Sequence, residues 1–323
     1  MSFSSFVEQP LRTAWTVGGE VRETLFWACT SGAARAVVLM IPGSPGVADF
    51  YIDFCSAVHA QFAEHMDIVC VSHLGHTRFH DNHGTVHHAG QTHSLADQLA
   101  NLLVVFDEID AEYRRLDPPP QMLLCAHSVG CYFAQRLVEL RPDRIDRVFG
   151  LFPAIDRIAD TPRGRQLAPL FRPALRWVAS GTVDVLRWLL PTGAICALAA
   201  TADSLDRHSA RLVVEKFLHG PCVHSVLAMA ADELRVIGDL DENLYRTHGH
   251  KFVLYYGADD GWVPDACRRR MLDINTQVRV VSCERGISHA FVSVHSADMA
   301  DIVVAMLAEQ LAGTGCQPTH SGD

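Results

Sequence analysis

The feature that most constrains the fold is the segment from residue 121 to 138, where an apolar run leads into a serine flanked by small residues. Residues 122 to 125 are apolar, residues 126 to 130 read Ala-His-Ser-Val-Gly, and apolar residues then recur at helical spacing. The pattern predicts a strand, a sharp turn and a helix. Small neighbours are needed beside a serine at such a turn, which places the Ser128 hydroxyl above a sheet and beside the amides that open the helix.

This turn resembles the nucleophile elbow of α/β-hydrolases, whose motif is G-x-S-x-G. The resemblance implies that Ser128 is a nucleophile and that the amide of Val129 stabilises an oxyanion. Ala126 stands where the motif has its first glycine, and alanine is a sterically tolerable variant. The alternative interpretation is a chance Ser-x-Gly between a strand and a helix.

The composition limits the classes of protein that this chain can represent. A chain of 323 residues that is 49% apolar can bury a large core, as one enlarged domain or as a core with an inserted subdomain. The net charge of -10 argues against a nucleic-acid partner and against purely electrostatic attachment to an anionic membrane. Ten cysteines without any C-x-x-C pair indicate reduced thiols in an intracellular protein. We expect no signal peptide, because the N-terminus lacks a basic start and an apolar core, and no transmembrane span, because no uncharged apolar run is long enough.

The first part of the chain alternates strand and helix patterns. Residues 36 to 41 form a continuous apolar run, which is typical of a strand buried on both faces, and a Pro-Gly-Ser-Pro-Gly loop follows. In hydrolases of this type the loop after the equivalent strand supplies one oxyanion donor, so we expect the Ser44 amide in that role; an ordinary strand-to-helix turn is the alternative. Ser94 and Asp97 predict the N-terminus of a helix that runs to about Tyr113. The alternation implies a parallel sheet with helices on both sides.

An unusual histidine-rich segment follows a second buried strand, at residues 67 to 73. It contains histidines at positions 73, 76, 80, 83, 87, 88 and 93. Neutral imidazoles bind zinc well, but the spacing fits neither H-x-x-x-H on a helix nor the Cys/His patterns of structural zinc sites. We therefore favour a polar loop at the rim of the active site, and we expect no metal and no cofactor.

From about residue 153 to 248 the strand pattern stops, which indicates a helical cap inserted into the α/β core. Between residues 157 and 187 six arginines outnumber two aspartates, and apolar residues with tryptophans lie between them. Apolar and arginine residues in this arrangement suit a helix that lies in a lipid surface. A lid that covers an apolar pocket would show the same pattern, so both interpretations stay open. The candidates for contact with substrate or lipid are Phe171, Trp177, Trp188 and Leu189.

Two late loops supply the remaining catalytic candidates. Residues 251 to 256 predict a strand, and Asp260 follows it where such enzymes place the acid that orients a histidine; Asp259 is better explained as a solvated turn residue. Residues 278 to 283 predict the last strand, and His289 lies in the loop beyond it, ahead of a helix from about residue 296 to 311. The chain order Ser128, Asp260, His289 is that of the α/β-hydrolases.

From about Val37 to near Leu311 the sequence resembles the lipid droplet-associated serine hydrolase family. The segments that support this resemblance are residues 41–46 (Ile-Pro-Gly-Ser-Pro-Gly), 50–51 (Phe-Tyr), 72–76 (Ser-His-Leu-Gly-His), the turn at Ser128, 151–156 (Leu-Phe-Pro-Ala-Ile-Asp), 161–164 (Thr-Pro-Arg-Gly), 255–257 (Tyr-Tyr-Gly) with Asp260 and Trp262, and 287–291 (Ile-Ser-His-Ala-Phe). Three positions depart from the family pattern: Ser44 replaces an asparagine, Ala126 a glycine and Gly261 a proline.

The resemblance implies a Ser128, Asp260, His289 triad that hydrolyses lipid esters, with sterol esters as proposed substrates, through an acyl-enzyme. It also implies peripheral association with lipid droplets or endoplasmic reticulum, with a cytosolic pool. The alternatives are a soluble esterase or thioesterase for small acyl substrates, and a catalytically weak protein that binds or tethers droplets. We expect an α/β-hydrolase fold with core residues 1–152 and 249–312, a cap at residues 153–248 and a disordered tail at residues 313–323.

Overall fold

The computed structural model describes residues 10–80, 85–87, 91–202, 207–274, 276–283 and 285–312; the tail predicted at residues 313–323 lies outside them. Within these ranges the strands are β1 (Leu11–Val17), β2 (Glu20–Trp27), β3 (Ala36–Ile41), β4 (Met66–Val71), β5 (Phe79–His80), β6 (Val86–His87), β7 (Gln121–His127), β8 (Arg147–Leu151), β9 (Phe252–Tyr256) and β10 (Arg279–Ser282). Strands β5 and β6 form a small separate ribbon.

The other strands form one sheet in the order β1-β2-β4-β3-β7-β8-β9-β10. The sheet is parallel from β4 to β10, and β1 and β2 join its edge in antiparallel pairing. Strands β3 and β4 are buried along their whole length, because helices cover both faces of a parallel sheet. Strands β1 and β2 form a hairpin, with positive φ at Gly18 and Gly19 in its turn.

Helices cover the two faces in two separate hydrophobic layers. The α-helices are α1 (Ile52–Phe62), α2 (Leu95–Tyr113), α3 (Val129–Leu140), α4 (Pro162–Leu167), α5 (Pro173–Leu189), α6 (Thr192–Ala202), α7 (Arg207–Leu212), α8 (Gly220–Val236), α9 (Glu242–His248), α10 (Asp265–Asp273), α11 (Phe291–Val294) and α12 (Ser296–Leu311). Helices α1 and α12 pack on one face of the sheet, while α2, α3, α9 and α10 contribute to the core on the other face.

Helix α2 begins where the sequence predicts. The Ser94 side chain accepts a hydrogen bond from the amide of Asp97, and the Asp97 carboxylate accepts one from the amide of Ser94. This reciprocal capping box satisfies two amides at the start of the helix. Helix α12 likewise has the predicted bounds. The strands differ from prediction by only a few residues at their ends, and the mostly parallel α/β architecture is confirmed.

Between β8 and β9 the described residues form helices and no strand, from α4 to α9 and including a π-helix at Val213–Phe217. We refer to residues 153 to 248 as the inserted segment. One of its attachments to the core is ionic: Lys216 in the π-helix lies 2.7 Å from the buried carboxylate of Glu23 on β2. Among the helices of the described ranges, none combines the length and the apolar character that crossing a membrane requires.

Candidate active site

Ser128 lies at the sharp turn between β7 and α3. Its backbone has φ 53° and ψ −121°, a combination that non-glycine residues rarely adopt. The Ser128 amide still donates to the carbonyl of Leu151 on β8 at 2.9 Å, so the turn begins directly at the end of the sheet. Val129 is the first residue of α3 and is fully buried. Because amides in the first turn of a helix have no acceptor within the helix, the Val129 amide is available beside the serine.

The neighbours of the turn explain why it tolerates alanine at one position and requires glycine at another. A Cβ atom on Gly130 would lie 2.3 Å from the carbonyl oxygen of Ile41, so only glycine fits there. Ala126 instead pairs with Gly150 on β8, which has no side chain to compete for space. Ala126 is 0% exposed and lies in the same hydrophobic core as Ile41, its partner on β3. The departure from G-x-S-x-G is thus accommodated by packing.

The structure brings together the three residues that the sequence predicts as a triad. Ser128 follows β7, Asp260 follows β9, and His289 lies in the loop between β10 and α11. The Nδ1 atom of His289 lies 2.6 Å from Oδ2 of Asp260, and its Nε2 atom lies 2.9 Å from Oγ of Ser128. A carboxylate can only accept, so Nδ1 carries the proton and Nε2 is free to accept from the serine hydroxyl.

The surroundings of Asp260 keep it ionised although it is buried. Burial would raise the pKa of this carboxyl, but the hydrogen bond from His289 and those from the amides of Trp262 and Val263 hold the pKa below its ordinary value. The amides donate to Oδ1 at 2.7 Å and 3.1 Å, while Oδ2 faces the imidazole. Both carboxylate oxygens are therefore bonded, and the carboxylate cannot rotate away from the histidine.

The loop after β3 lies directly against the turn. A Cβ atom on Gly43 would lie 2.9 Å from the Cβ atom of Ser128, so the backbone approaches the serine as closely as glycine permits. Ser44 is the next residue, and its side chain is exposed. We call residues 42 to 47 the oxyanion loop, after the role predicted for the Ser44 amide.

The first two histidines of the histidine-rich segment support this loop. The amide of His73 donates to the carbonyl of Gly46 at 2.7 Å, and the amide of Gly46 donates to Nδ1 of His76 at 3.2 Å. Both rings are buried, so the interpretation of a polar rim loop is wrong for these two residues. Within the described ranges no group of three or more His, Cys, Asp or Glu side chains is arranged to hold a metal ion.

Two further residues at the site were not singled out by the sequence. Tyr51 accepts a hydrogen bond from the amide of Gly43 at 2.7 Å, and its hydroxyl lies 2.7 Å from Nδ1 of His127. The Nε2 atom of His127 lies 2.9 Å from the carbonyl oxygen of His289. His127 directly precedes the serine, and Tyr51 belongs to the Phe-Tyr pair of the family pattern. Neither position indicates a contact between residues so far apart in the sequence.

The inserted segment presents an apolar surface of unusual size. Of the seventeen large apolar residues that are exposed in the described chain, nine lie between residues 170 and 198. Most of them are on α5, where they share about half of the helix circumference. We define the apolar face of α5 as these residues: Leu175, Trp177, Val178, Val185, Leu186, Trp188 and Leu189. Trp188 is 83% exposed and Leu189 60%.

The opposite side of α5 attaches to the protein through polar contacts. Arg187 donates to the carbonyls of Val214 and Leu218, and the Asp184 carboxylate accepts from the amide at the start of α8. Ser180 is the only residue of this helix that is buried. Phe171, by contrast, is 7% exposed and precedes α5 in a 3-10 helix that packs against α8. Phe171 is therefore buried from a lipid surface, and contact of its side chain with the substrate stays a prediction.

Comparison with known proteins agrees with this architecture. The sequence profile of the family described as lipid-droplet associated hydrolase matches residues 34–292. A lipid droplet-associated hydrolase from Gallus gallus is 27% identical over 286 residues, 86% of each chain. Among solved structures, the haloalkane dehalogenase DatA from Agrobacterium tumefaciens has a TM-score of 0.67 at 14% identity, covering 94% of this chain and 97% of its own.

A thermophilic esterase from Thermogutta terrifontis has a TM-score of 0.60 at 13% identity, covering 95% of this chain and 99% of its own. At these identities the structural matches establish the fold alone, and they confirm the predicted α/β-hydrolase fold. The family profile covers most of the chain and confirms the resemblance seen in the sequence. The protein is therefore a hydrolase with the α/β-hydrolase fold, and it belongs to the lipid-droplet associated hydrolase family.

Proposed function

We propose that this protein is a serine ester hydrolase that acts on lipid esters, sterol esters among them, at the surface of lipid droplets. The observation that supports this proposal most strongly is the pair of hydrogen bonds that joins Asp260 to His289 and His289 to Ser128. In this arrangement the serine hydroxyl has a general base within reach, and the base has a carboxylate that sets its tautomer.

In the proposed reaction, Oγ of Ser128 attacks the ester carbonyl while Nε2 of His289 takes the hydroxyl proton. The Asp260 carboxylate stabilises the imidazolium that forms and does not itself take the proton. His289 then donates the proton to the departing alcohol, which leaves an acyl group on the serine. A water molecule attacks this acyl-enzyme with His289 again as the base, and the carboxylic acid is released.

The tetrahedral intermediate of each step places a negative charge on the former carbonyl oxygen. The amides of Val129 and Ser44 are the donors that we propose for this oxyanion. Val129 is at the start of α3, where the helix dipole adds to the favourable potential, and Ser44 follows the glycine that packs on Ser128. Loss of one such donor typically costs about a hundredfold to a thousandfold in rate.

The apolar face of α5 supports action at a lipid surface. Tryptophan and leucine side chains point outward on this face, and the helix is held to the protein by its polar side. An interfacial helix needs this arrangement, because its apolar residues enter the boundary of the lipid while the rest of the protein stays outside. We propose that Trp177, Trp188 and Leu189 contact the lipid, at droplets or endoplasmic reticulum, in equilibrium with a cytosolic pool.

We further propose that the inserted segment, residues 153 to 248, is the cap of the enzyme, with core residues 1–152 and 249–312 on either side in the chain. Contacts at the acid loop support this division: Arg163 of α4 packs against Gly261, and its amide donates to the Gly261 carbonyl at 2.9 Å. The cap is thus in contact with the residue that follows Asp260. This contact supports the proposal that the cap governs access to the triad.

The experiment that tests the function compares wild type with Ser128→Ala on two substrates, an emulsified sterol ester and a soluble p-nitrophenyl ester. We expect Ser128→Ala to lower kcat by about four or more orders of magnitude on both, because the nucleophile is removed. Ser288→Ala is the matched control, because Ser288 is an exposed serine next to His289 in the chain and is not the proposed nucleophile. We expect it to retain wild-type kcat.

The two substrates separate the proposed function from its alternatives. Turnover of the soluble ester alone would replace the lipid hydrolase with a soluble esterase or thioesterase. Turnover of neither ester, together with recovery on droplets, would favour a protein that binds or tethers droplets. Ser128-dependent hydrolysis of the emulsified ester is the result that we expect.

A further inference from the structure

We propose that Tyr51 and His127 are positioning residues, which hold the oxyanion loop and the loop of His289 at a fixed separation across Ser128. This proposal rests on the proposed function, because it assigns to these residues the alignment of the same triad. Tyr51 is 2% exposed and His127 is 5% exposed, and the reaction described above uses neither of them.

The hydrogen-bond chain through these residues has a single consistent direction. The Gly43 amide can only donate, so the Tyr51 oxygen accepts at 2.7 Å. The tyrosine hydroxyl has one proton and gives it to Nδ1 of His127, at 2.7 Å. Nε2 of His127 therefore bears the ring proton and donates it to the carbonyl of His289, at 2.9 Å. Three bonds thus connect the oxyanion loop to the backbone of the catalytic base.

The chain requires a neutral His127, and the site keeps it neutral. Burial, together with the nearby His289, lowers the pKa of His127 to about 3. This neutrality matters for the reaction, because His289 becomes positively charged when it takes the serine proton. The centroids of the two rings are 5.2 Å apart, and a charged His127 would repel the imidazolium at that distance.

Aromatic packing keeps the His127 ring in this orientation. Phe291 lies edge-on to His127 with a centroid distance of 4.9 Å, and Phe152 does so at 6.1 Å. Tyr51 packs edge-on against Phe291 as well, at 6.3 Å. These contacts restrict the orientations of the Tyr51 and His127 side chains. The two residues therefore keep the oxyanion loop and the loop of His289 at a fixed separation.

The expected consequence concerns the chemical step. If the chain is broken, Gly43 loses its acceptor and the backbone of His289 loses its donor, while the surface that binds the substrate is unchanged. A displacement of about 1 Å at a reacting group costs about a hundredfold in rate. Breaking the chain should therefore lower kcat and leave KM nearly unchanged. A residue that only fills space in the core would lower the melting temperature without this selective loss.

The test measures kcat and KM on the soluble ester, the rate at which a fluorophosphonate labels Ser128, and the melting temperature. Tyr51→Phe and His127→Ala should each lower kcat and the labelling rate by about tenfold to a hundredfold, with KM within about twofold of wild type. His127→Gln should recover part of the loss relative to His127→Ala, since its amide can donate to the His289 carbonyl. The double variant should be no more than about twofold worse than His127→Ala, because both changes break one chain.

Tyr245→Phe is the matched control. Tyr245 is 1% exposed, and its hydroxyl donates to Gln135 at 2.9 Å, so this variant also removes one buried hydroxyl and one hydrogen bond. We expect it to keep the wild-type labelling rate. The proposal is overturned if Tyr51→Phe and His127→Ala label as fast as Tyr245→Phe, or if they change only the melting temperature. A wild-type protein without labelling or turnover would instead overturn the proposed function, and the positioning role with it.

Discussion

Helices α3 and α5 are both amphipathic, yet they point their apolar sides in opposite directions. Helix α3, which follows the Ser128 turn, buries most of its apolar residues against the sheet, with Phe133 and Leu137 0% exposed. Helix α5 buries only Ser180 and leaves Trp188 83% exposed. A periodic pattern in the sequence identifies an apolar face in both helices. The pattern does not determine whether that face packs in the core or is exposed.

The difference between the two helices supports the proposal that α5 contacts lipid. Removing apolar surface from water stabilises a protein by about 25 cal/mol per Å². An apolar face that stays in water does not provide this stabilisation. Exposed apolar patches of this kind mark sites of interaction with a membrane or another molecule. Helix α5 is attached through contacts that include the hydrogen bonds of Arg187 and Asp184 and the packing of the Trp177 ring against His224 of α8. Packing within the protein therefore stabilises α3. In contrast, we attribute the exposed apolar face of α5 to the proposed contact with lipid.

Truncation of one leucine in each helix tests this comparison through stability. We expect Leu137→Ala in α3 to lower the free energy of unfolding by about 2–5 kcal/mol, because it leaves a cavity in the core. Leu189→Ala in α5 should change it by less than about 0.5 kcal/mol, because Leu189 is exposed. Urea unfolding without lipid measures both. Equal losses would mean that the apolar face of α5 is packed against the protein.

Charged substitutions on the apolar face of α5 should weaken binding to droplets without lowering turnover of a soluble ester. Trp188→Asp with Leu189→Asp should lower the fraction of protein that floats with phospholipid-coated droplets by about tenfold or more, because apolar burial in the lipid is lost. Turnover of a soluble ester should stay at the wild-type level. The control is Leu272→Asp, which introduces the same charge at a leucine that is 50% exposed on α10, outside the inserted segment. If the control lowers flotation as much, binding does not depend on the apolar face of α5.

Helix α8 lies between α5 and the core, and a smaller effect is expected there. Burial raises the pKa of Glu233 to about 8, and its Oε1 atom has no hydrogen-bond partner in the described structure. A carboxyl with a raised pKa in the folded state stabilises the fold below its unfolded pKa and loses that contribution as the pH rises to 8. Glu233→Gln should therefore gain about 1 kcal/mol or more over wild type between pH 5 and 8. If the stabilities of wild type and Glu233→Gln depend on pH in the same way over this range, the pKa of Glu233 is not raised by burial.

Local sequence patterns predict much of the fold. Buried strands such as β3 appear as continuous apolar runs, and the Ser94 capping box marks the start of α2 within one residue. The order of Ser128, Asp260 and His289 along the chain, each just beyond a strand, is also a local signal. Parallel strands carry their C-terminal ends to one edge of the sheet, so these three positions converge.

Other parts of the site depend on contacts that no local pattern encodes. The bonds of His127 to Tyr51 and to His289 connect residues that are 76 and 162 positions apart. Phe171 shares its apolar, arginine-rich setting with Trp188, yet the first is buried and the second is exposed. Burial in the inserted segment depends on how its helices pack, and composition does not determine that packing. The histidine-rich pattern likewise predicts a polar rim loop, whereas His73 and His76 are buried and support the oxyanion loop in the fold.

The most direct test of the central claim is to treat the protein with a fluorophosphonate and locate the adduct by peptide mass spectrometry. We predict one adduct, on Oγ of Ser128, which is absent in Ser128→Ala and forms about a hundredfold or more slowly in His289→Ala, because the base is missing. A wild-type protein that stays unmodified, or that is modified at another serine while Ser128 stays free, would contradict the assignment of Ser128 as the nucleophile.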